Sequence, residues 1–466
     1  MYRITVGATH DLADTATFLA QLPRDVFRVE GEILVSRAPG RLDVMGGIAD
    51  YSGSLALPLP LAEATHAALQ LRHDRTLNLV SLTGSERLTL SLSLDELAAL
   101  DYASARQWFA ADASRHWAAY VAGAWLVLQH ERGVIFPRGA NLLLSSRVPL
   151  GKGVSSSAAL EVATMQAVAA AYGIGLTPTE LAFLCQKVEN LVAGAPCGVM
   201  DQMASVHGEA GKLLALLCQP AELRGTIKLP EELAVWGLDS GVRHAVGDGD
   251  YGTVRTAAFM GYRIIAEIAG LPCHATEKPG RVRIEDTLWR GYLANLTPDE
   301  FAKGYAAHIP ETISGVDFLQ RYQGITDDAT VAQPGKMYPV LAATRHPINE
   351  NARVCRFAEI LPEWRGLPDA TELGELMYAS HESYTACGLG SSGTDKLVAL
   401  ARAEDGLFGA RITGGGNGGT VAVLGRSDAA DAVRRVAVKY EESTGYAPFV
   451  FSGSSPGAGE FGVLRL

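Results

Sequence analysis

The stretch Val148–Ala163, VPLGKGVSSSAALEVA, constrains this chain more than any other. Two glycines flank a lysine, three serines follow, and then apolar residues recur at helical spacing. Such a string delivers a Gly/Ser loop into the N-terminus of a helix. The first turn of a helix carries backbone N–H groups without intrahelical partners, and the aligned peptide dipoles place partial positive charge there. That end suits an anion, phosphate above all. Gly151 and Gly153 admit close backbone approach or a positive φ. Lys152 offers a point charge, and Ser155, Ser156 and Ser157 offer hydroxyls for a cap, a phosphate or a metal ion. The same residues also fit a Gly-Lys-Gly turn with a serine cap that holds nothing. The spacing is not that of a Walker A loop, G-x-x-x-x-G-K-[ST].

A helix of this kind needs a core to pack on. The chain has 466 residues, 48% hydrophobic and 20% charged, which is the make-up of a soluble globular protein of two or three domains. A net charge of −11 argues against a nucleic-acid surface or an anionic membrane as partner, but one local positive site still admits an anionic ligand. The cysteines at 185, 197, 218, 273, 355 and 387 form no C-x-x-C pair, so neither a zinc site nor a redox motif is indicated. Scattered and unpaired in a chain of this size, they read as reduced, which predicts a cytoplasmic protein. The N-terminal MYRITVGATHDLADT lacks the pattern of a signal peptide. The longest apolar run, Ala118–Leu128, is too short to span a bilayer.

In chain order, EILVS at 32–36 predicts a strand. RAPGRLDVMGGIADYSGS at 37–54 predicts strand, turn, short strand and loop, with Arg41, Asp43 and Asp50 forming either a polar site or a solvated turn. Alternation predicts strands at 66–72 and 76–93, a buried helix at 114–129 and a strand at 140–144. A helix at 158–172 follows the opening loop. Thr177-Pro178-Thr179-Glu180 reads as a capping box. On the helix behind it, Glu189 sits at the edge of the apolar stripe, where a boundary salt bridge is the bland alternative to a ligand role. Asp201 is expected in a small-residue loop before a strand at 212–218, as a cap or a catalytic carboxylate. Residues 220–235 read as a connector, 234–239 as a strand, 240–255 as a polar glycine-rich loop, and 270–335 as short helices and loops without evident chemistry. Helices are expected at 349–361, 371–387 and 426–445. In FGARITGGGNGGTVAVLG at 408–425, five glycines around Asn417 precede a strand and suggest close backbone approach to a ligand or another loop.

Taken together, the stretches 37–54, 148–163 and 408–425 resemble the GHMP kinases, small-molecule kinases that include galactokinase, homoserine, mevalonate and phosphomevalonate kinases. Residues 37–54 are similar to the galactokinase signature G-R-x-N-x-I-G-E-H-x-D-Y. Residues 148–163 are similar to the family phosphate loop P-x-G-x-G-[LV]-x-S-S-[AS], and residues 408–425 to the C-terminal glycine motif. CGVMDQ at 197–202 is similar to the galactokinase segment that carries a catalytic aspartate. The resemblance runs from about residue 30 to near the end of the chain.

It implies an α+β, two-domain fold with the active site between the domains. Residues 1–225 would form an N-terminal α/β domain like ribosomal protein S5. Residues 226–466 would form a ferredoxin-like C-terminal domain with a helical insertion at about 270–335. Asp201 would be the carboxylate beside the attacking hydroxyl, with Arg41 its cationic partner. ATP phosphates would lie on Pro149, Gly151, Lys152, Gly153, Val154, Ser155, Ser156 and Ser157. Ser157 and Glu189 would hold Mg²⁺. Gly47, Ile48, Asp50, Tyr251, Gly415 and Gly416 would form the sugar site, and the backbone of the glycine stretch 414–419 would approach both the sugar and the phosphate sites. Phosphoryl transfer needs positioning and charge neutralisation more than covalent chemistry, which this residue set can supply.

One departure from the pattern is informative. Gly47-Ile48 stands where galactokinases have Glu-His, near the exocyclic hydroxymethyl of the sugar. An apolar wall there suits L-arabinopyranose, which is galactopyranose without that group. The strings DVMGGIADYSG, CGVMDQMAS and GVRHAVGDGDYGTVR also resemble the kinase domain of plant L-arabinokinases, without their N-terminal extension. The resemblance therefore implies a sugar-1-kinase acting on L-arabinose with ATP and Mg²⁺. Its alternatives are a galactokinase with a rebuilt pocket and a non-catalytic sugar- and ATP-binding regulator. A uronate kinase fits less well, because Gly47-Ile48 offers no cation.

Overall fold

The computed structural model describes residues 12–28, 30–83, 86–242 and 250–466. Two sheets and the helices around them form the frame. The larger sheet has eight strands. Its main path runs Val463–Arg465, Leu34–Met45, Leu55–Leu71, Ala140–Ser146, Thr76–Thr83, Glu86–Ser93. All neighbours are antiparallel except the pair 76–83 and 140–146. Lys212–Leu217 pairs with the start of the strand 55–71 and with Glu222–Lys228. The smaller sheet has four antiparallel strands in the order Leu407–Ile412, Thr420–Arg426, Leu233–Asp239, Val450–Phe451. The chain crosses from one sheet to the other between Lys228 and Leu233. It returns at its end, where Val463–Arg465 pairs with Leu34–Ser36.

The helix Ser156–Ala171 lies at the centre of the first core. Ten of its sixteen residues are buried, so it is apolar nearly all round, as a helix with packing on every side must be. It packs with Ala119–Arg132 against Leu69, Leu77, Leu142 and Leu144 of the sheet. A further core forms where the segment 270–335 covers the helices Asp250–Ile268 and Val340–Ile360. It gathers Trp289, Leu293, Phe301, Phe318 and Tyr322, and it includes Ile48. The segment contains short strands, such as Cys273–Ala275 and Val282–Ile284, as well as the short helices Pro298–Gly304 and Gly315–Tyr322.

Several local expectations are corrected. No turn interrupts 34–45: the strand runs through Pro39 and Gly40 and absorbs them in irregular pairing at Pro39/Arg41. Gly40 is needed there because a Cβ would lie 2.6 Å from the Val154 carbonyl. The expected strand 76–93 is two strands paired as a hairpin. The expected connector contains the strand Glu222–Lys228, which pairs along Lys212–Leu217. The box at Thr177 is half formed. Thr177 Oγ1 accepts from the Glu180 N–H, but the Glu180 carboxylate pairs with Arg132 instead of closing the box. Residues 243–249 of the stretch 240–255 lie outside the described residues. All six cysteines are free, and among the described residues no helix is long and apolar enough to cross a membrane.

Candidate active site

The loop after the strand 140–146 reaches the helix at Ser156 through three left-handed residues: Gly151 (φ 70°), Gly153 (φ 68°) and Ser155 (φ 59°). Ser155 stands at the N-cap position, yet it makes no capping bond, and its hydroxyl is buried without a protein partner. The expected serine cap is therefore absent, because the left-handed backbone aims the side chain elsewhere. Among the described residues no side chain caps the first turn, so its N–H groups remain available to an anion. Gly151, Gly153, Ser155, Ser156 and Ser157 line a cleft of about 250 Å³. Lys152 does not line it. Its Nζ lies 2.6 Å from Asp239 Oδ2 and bonds the Tyr446 hydroxyl at 3.2 Å, which ties the loop to the smaller sheet.

Arg41, buried on the strand 34–45, reaches the cleft from below this loop. Its Nε and Nη2 donate to Asp201 Oδ1 at 3.0 and 2.7 Å, and its Nη1 donates to the Gly153 carbonyl at 2.7 Å. Burial opposes the charge of Arg41, but Asp201 and Asp43 outweigh it and hold the guanidinium cationic. Asp201 sits in the first turn of the helix Met200–His207, not in a loop, and its side chain is 21% exposed. Its Oδ2 has no protein hydrogen bond among the described residues. One oxygen is thus anchored while the other is available.

Glu189, expected at the edge of the apolar stripe, is buried. A π-helical turn, Val188–Ala193, carries it, and the turn closes at Gly194. Ser157 donates to its Oε1 at 2.8 Å; Gln202 and Cys197 donate to its Oε2 at 2.6 and 3.4 Å. Burial and the charge of Asp201 push its carboxyl up to about 7, against those hydrogen bonds. The Gln202 amide also donates to Glu161 Oε2 at 3.1 Å; Glu161 lies one turn after Ser157 and is itself buried.

Asp50 opens a single 3-10 turn, Asp50–Ser52, and lines the cleft with Ile48, Cys197, Gly198, Met200 and Tyr251. Burial and then the Asp201 charge raise its carboxyl to about 6, with Arg255 opposing. Ile48 takes φ 48°, a strained conformation for a β-branched residue. Two bonds fix the backbone just before it: His346 Nε2 donates to the Gly47 carbonyl at 2.9 Å, and the Gly46 N–H donates to Glu350 at 3.1 Å. Gly47 faces away from the cleft. A Cβ there would fall 1.8 Å from the Tyr384 hydroxyl and 2.0 Å from Asp43 Oδ2.

The glycine stretch 414–419 does approach another loop. Cβ atoms on Gly414 and Gly419 would meet the Gly153 and Lys152 carbonyls at 2.6 and 2.7 Å. Gly414 and Gly415 line the cleft, whereas Gly416 packs on Leu389. The structure thus brings Arg41, Ile48, Asp50, Gly151, Gly153, Ser155, Ser156, Ser157, Glu189, Asp201, Tyr251 and Gly415 to one cleft. Pro149, Lys152, Val154, Gly47 and Gly416 support it from outside. Sequence reasoning missed Tyr120, a polar-tipped residue in a run read as buried helix. It also missed Arg255, whose partner Asp327 lies in the segment read as lacking chemistry.

Residues 119–209 match the GHMP kinases N terminal domain, and residues 361–442 match the GHMP kinases C terminal domain. An L-arabinokinase of Arabidopsis thaliana is 43% identical over 100% of this chain. The chain spans 52% of that protein's length. A galactokinase of Chloroflexus aurantiacus is 30% identical over 85% of each chain. The structure of Lactococcus lactis galactokinase in complex with galactose superposes with a TM-score of 0.73, covering 95% of this chain and 99% of that one at 22% identity. The shared fold is the expected α+β architecture. With both domain matches and a galactokinase relative aligned along most of its length, the chain belongs to the GHMP kinases, in their galactokinase-like branch.

Proposed function

We propose that the chain is an ATP-dependent sugar-1-kinase that converts L-arabinose and ATP to L-arabinose 1-phosphate and ADP. One juxtaposition carries the reading: a carboxylate anchored through one oxygen, Asp201, shares a cleft with an uncapped helix start and with Asp50, Tyr251 and the apolar Ile48. The open N–H groups of 151–157 suit the phosphates. Asp50 offers acceptors to ring hydroxyls. The anomeric hydroxyl, more acidic than an ordinary alcohol, would lie against Asp201 Oδ2. Its oxygen attacks the γ-phosphorus, the bond from that phosphorus to the β,γ-bridging oxygen breaks, and ADP leaves with the electron pair. The hydroxyl proton passes to Asp201 and on to solvent. Arg41 holds Asp201 in place through Oδ1.

Ser157 Oγ and Glu189 Oε1, two oxygen donors 2.8 Å apart on the cleft wall, fit a magnesium ion. Such an ion would neutralise charge on the transferred phosphoryl group. L-arabinose is favoured over D-galactose on two grounds. Identity is 43% to the L-arabinokinase against 30% to the galactokinase. The position where galactokinases carry a glutamate is filled here by Tyr384 and Asp43, which leaves an apolar wall for a sugar without a hydroxymethyl group. A pocket built this way leaves no polar group unpaired against the smaller sugar.

The test is an aldose panel with ATP and Mg²⁺, read by ADP release. L-arabinose is expected to give a kcat/KM at least about tenfold above D-galactose. Preference for galactose would overturn the substrate assignment. Binding of sugar and ATP without turnover of any aldose would identify a regulator instead.

A further inference from the structure

Asp50, Cys197, Gly198, Asp201 and Tyr251 come to the cleft from three separate parts of the chain, and one buried ion pair stands behind them. Arg255 lies one turn after Tyr251 on the helix Asp250–Ile268. Its Nε and Nη2 bond both oxygens of Asp327, at 2.9 and 2.7 Å. Its Nη1 donates to the carbonyls of Pro196 and Cys197 at 3.3 and 3.0 Å; the latter also takes two longer bonds, at 3.4 Å, from Gln186 and Asn190. The guanidinium centre is 5.3 Å from the ring of Tyr51, the neighbour of Asp50. Asp327 is itself fixed by the N–H groups of Ala329 and Thr330 and by the Thr330 hydroxyl, at 3.3, 3.0 and 2.7 Å. The loop that Arg255 holds is the one whose Gly198 abuts Asp50, so closely that a Cβ would lie 1.7 Å from Oδ2. Asp201 follows three residues later.

We infer that Arg255 and Asp327 are positioning residues for the sugar: Asp327 fixes the guanidinium, and the guanidinium fixes the 196–198 loop against the Asp50 turn. Neither side chain lines the cleft, so neither touches substrate. The segment 270–335, which supplies Asp327, thereby sets the geometry of the sugar half. The phosphate half is held separately, by Arg41, Lys152 and the glycine stretch 414–419. The arrangement also places a buried cation near Asp50, where it counters burial and the charge of Asp201.

The inference rests on the reading that this half of the cleft takes the sugar, so the experiment separates the two. Asp327→Asn keeps the side chain's shape and removes its charge. Its KM and calorimetric Kd for L-arabinose are expected to rise about 10- to 100-fold, while the KM for ATP stays within about twofold. Arg255→Ala is expected to lose sugar affinity in the same way and to regain part of it on addition of free guanidinium ion, which a merely structural role would not produce. Unchanged sugar affinity in Asp327→Asn overturns the inference. So does an equal loss of sugar and nucleotide affinity in both variants without guanidinium rescue. A wild-type chain that binds L-arabinose but transfers no phosphate refutes the kinase reading alone, since Kd still reports on the ion pair. A wild-type chain that binds no aldose refutes both.

Discussion

The replacement Gly47→Ala adds one methyl group at a position that faces away from the cleft, and its expected cost is large. The new Cβ would sit 1.8 Å from the Tyr384 hydroxyl and 2.0 Å from Asp43 Oδ2, some ~1.5 Å inside ordinary contact. Neither neighbour can swing aside. Both side chains are fully buried; Tyr384 donates to the Gly414 carbonyl at 2.9 Å, and Asp43 lies 3.3 Å from Arg411. Overpacking of a rigid site costs about 1–3 kcal/mol. Displacing Tyr384 leaves the Gly414 carbonyl unsatisfied, at about 1–3 kcal/mol more. The sum, about 2–6 kcal/mol, is a large share of the roughly 5–15 kcal/mol that holds a native protein together. Urea unfolding of the purified variant should show a lower midpoint with an unchanged slope. Tyr384→Phe removes one of the two clashing atoms, so the double variant should recover about 1 kcal/mol or more relative to additivity. The same geometry says that Gly47→Glu with Ile48→His will not create a galactose site, because the glutamate has no room. A Gly47→Ala protein within about 0.5 kcal/mol of wild type, with unchanged sugar kinetics, would refute the reasoning.

Two further predictions concern charge. Asp50 is raised to about 6, and on the proposed reading its ionised form is the stronger acceptor for the sugar hydroxyls. L-arabinose affinity, measured by calorimetry without nucleotide, should therefore be constant above that pH and fall by about tenfold per unit below it. Asp50→Asn should flatten the profile, and a flat wild-type profile would remove Asp50 from the sugar site. Asp201→Asn preserves shape but offers a weaker acceptor; turnover should drop by about 10²–10⁴-fold while ADP binding persists. Near-normal turnover would exclude Asp201 from proton transfer.

The glycine-rich strings gave away where the backbone comes close, but not to what. Gly151 and Gly153 do line the cleft, yet Gly47 and Gly416 are glycine for other neighbours, Tyr384 and Leu389. Gly47 meets a helix hundreds of residues away in the chain, and no local pattern encodes either approach. Lys152 fails for the same reason. Its place between two loop glycines suggests phosphate, but the buried carboxylate of Asp239 takes it first. Glu189 shows the opposite limit: its stripe position was visible, while the π-turn that drives it into the interior was not. Arg255 and Asp327 were least legible of all. An arginine and an aspartate separated by 72 residues carry no signal until the segment between them folds back.

The two halves of the cleft are built from different contacts, and that bears on how a kinase of this kind can change its sugar. On the phosphate side, the Gly153 carbonyl takes Arg41, the Lys152 carbonyl takes the Thr420 hydroxyl, and the Lys152 ammonium takes Asp239, so three distant parts of the chain lock one loop. Replacing any one would disturb transfer to every sugar. On the sugar side, Ile48 and Gly47 belong to a wall backed by Tyr384 and His346, from the helices Leu367–Ala386 and Val340–Ile360. Among the described residues none of these side chains hydrogen-bonds to the 149–157 loop; the Tyr384 hydroxyl bonds instead to the carbonyl of Gly414, in the glycine stretch that packs on that loop. A polar pair at 47–48 can thus give way to Gly-Ile, with Tyr384 filling the vacated volume, while the geometry of Asp201, Arg41 and the phosphate loop is retained. On the proposed reading, specificity can change at small cost to transfer because no side-chain hydrogen bond joins these described wall residues to the 149–157 loop.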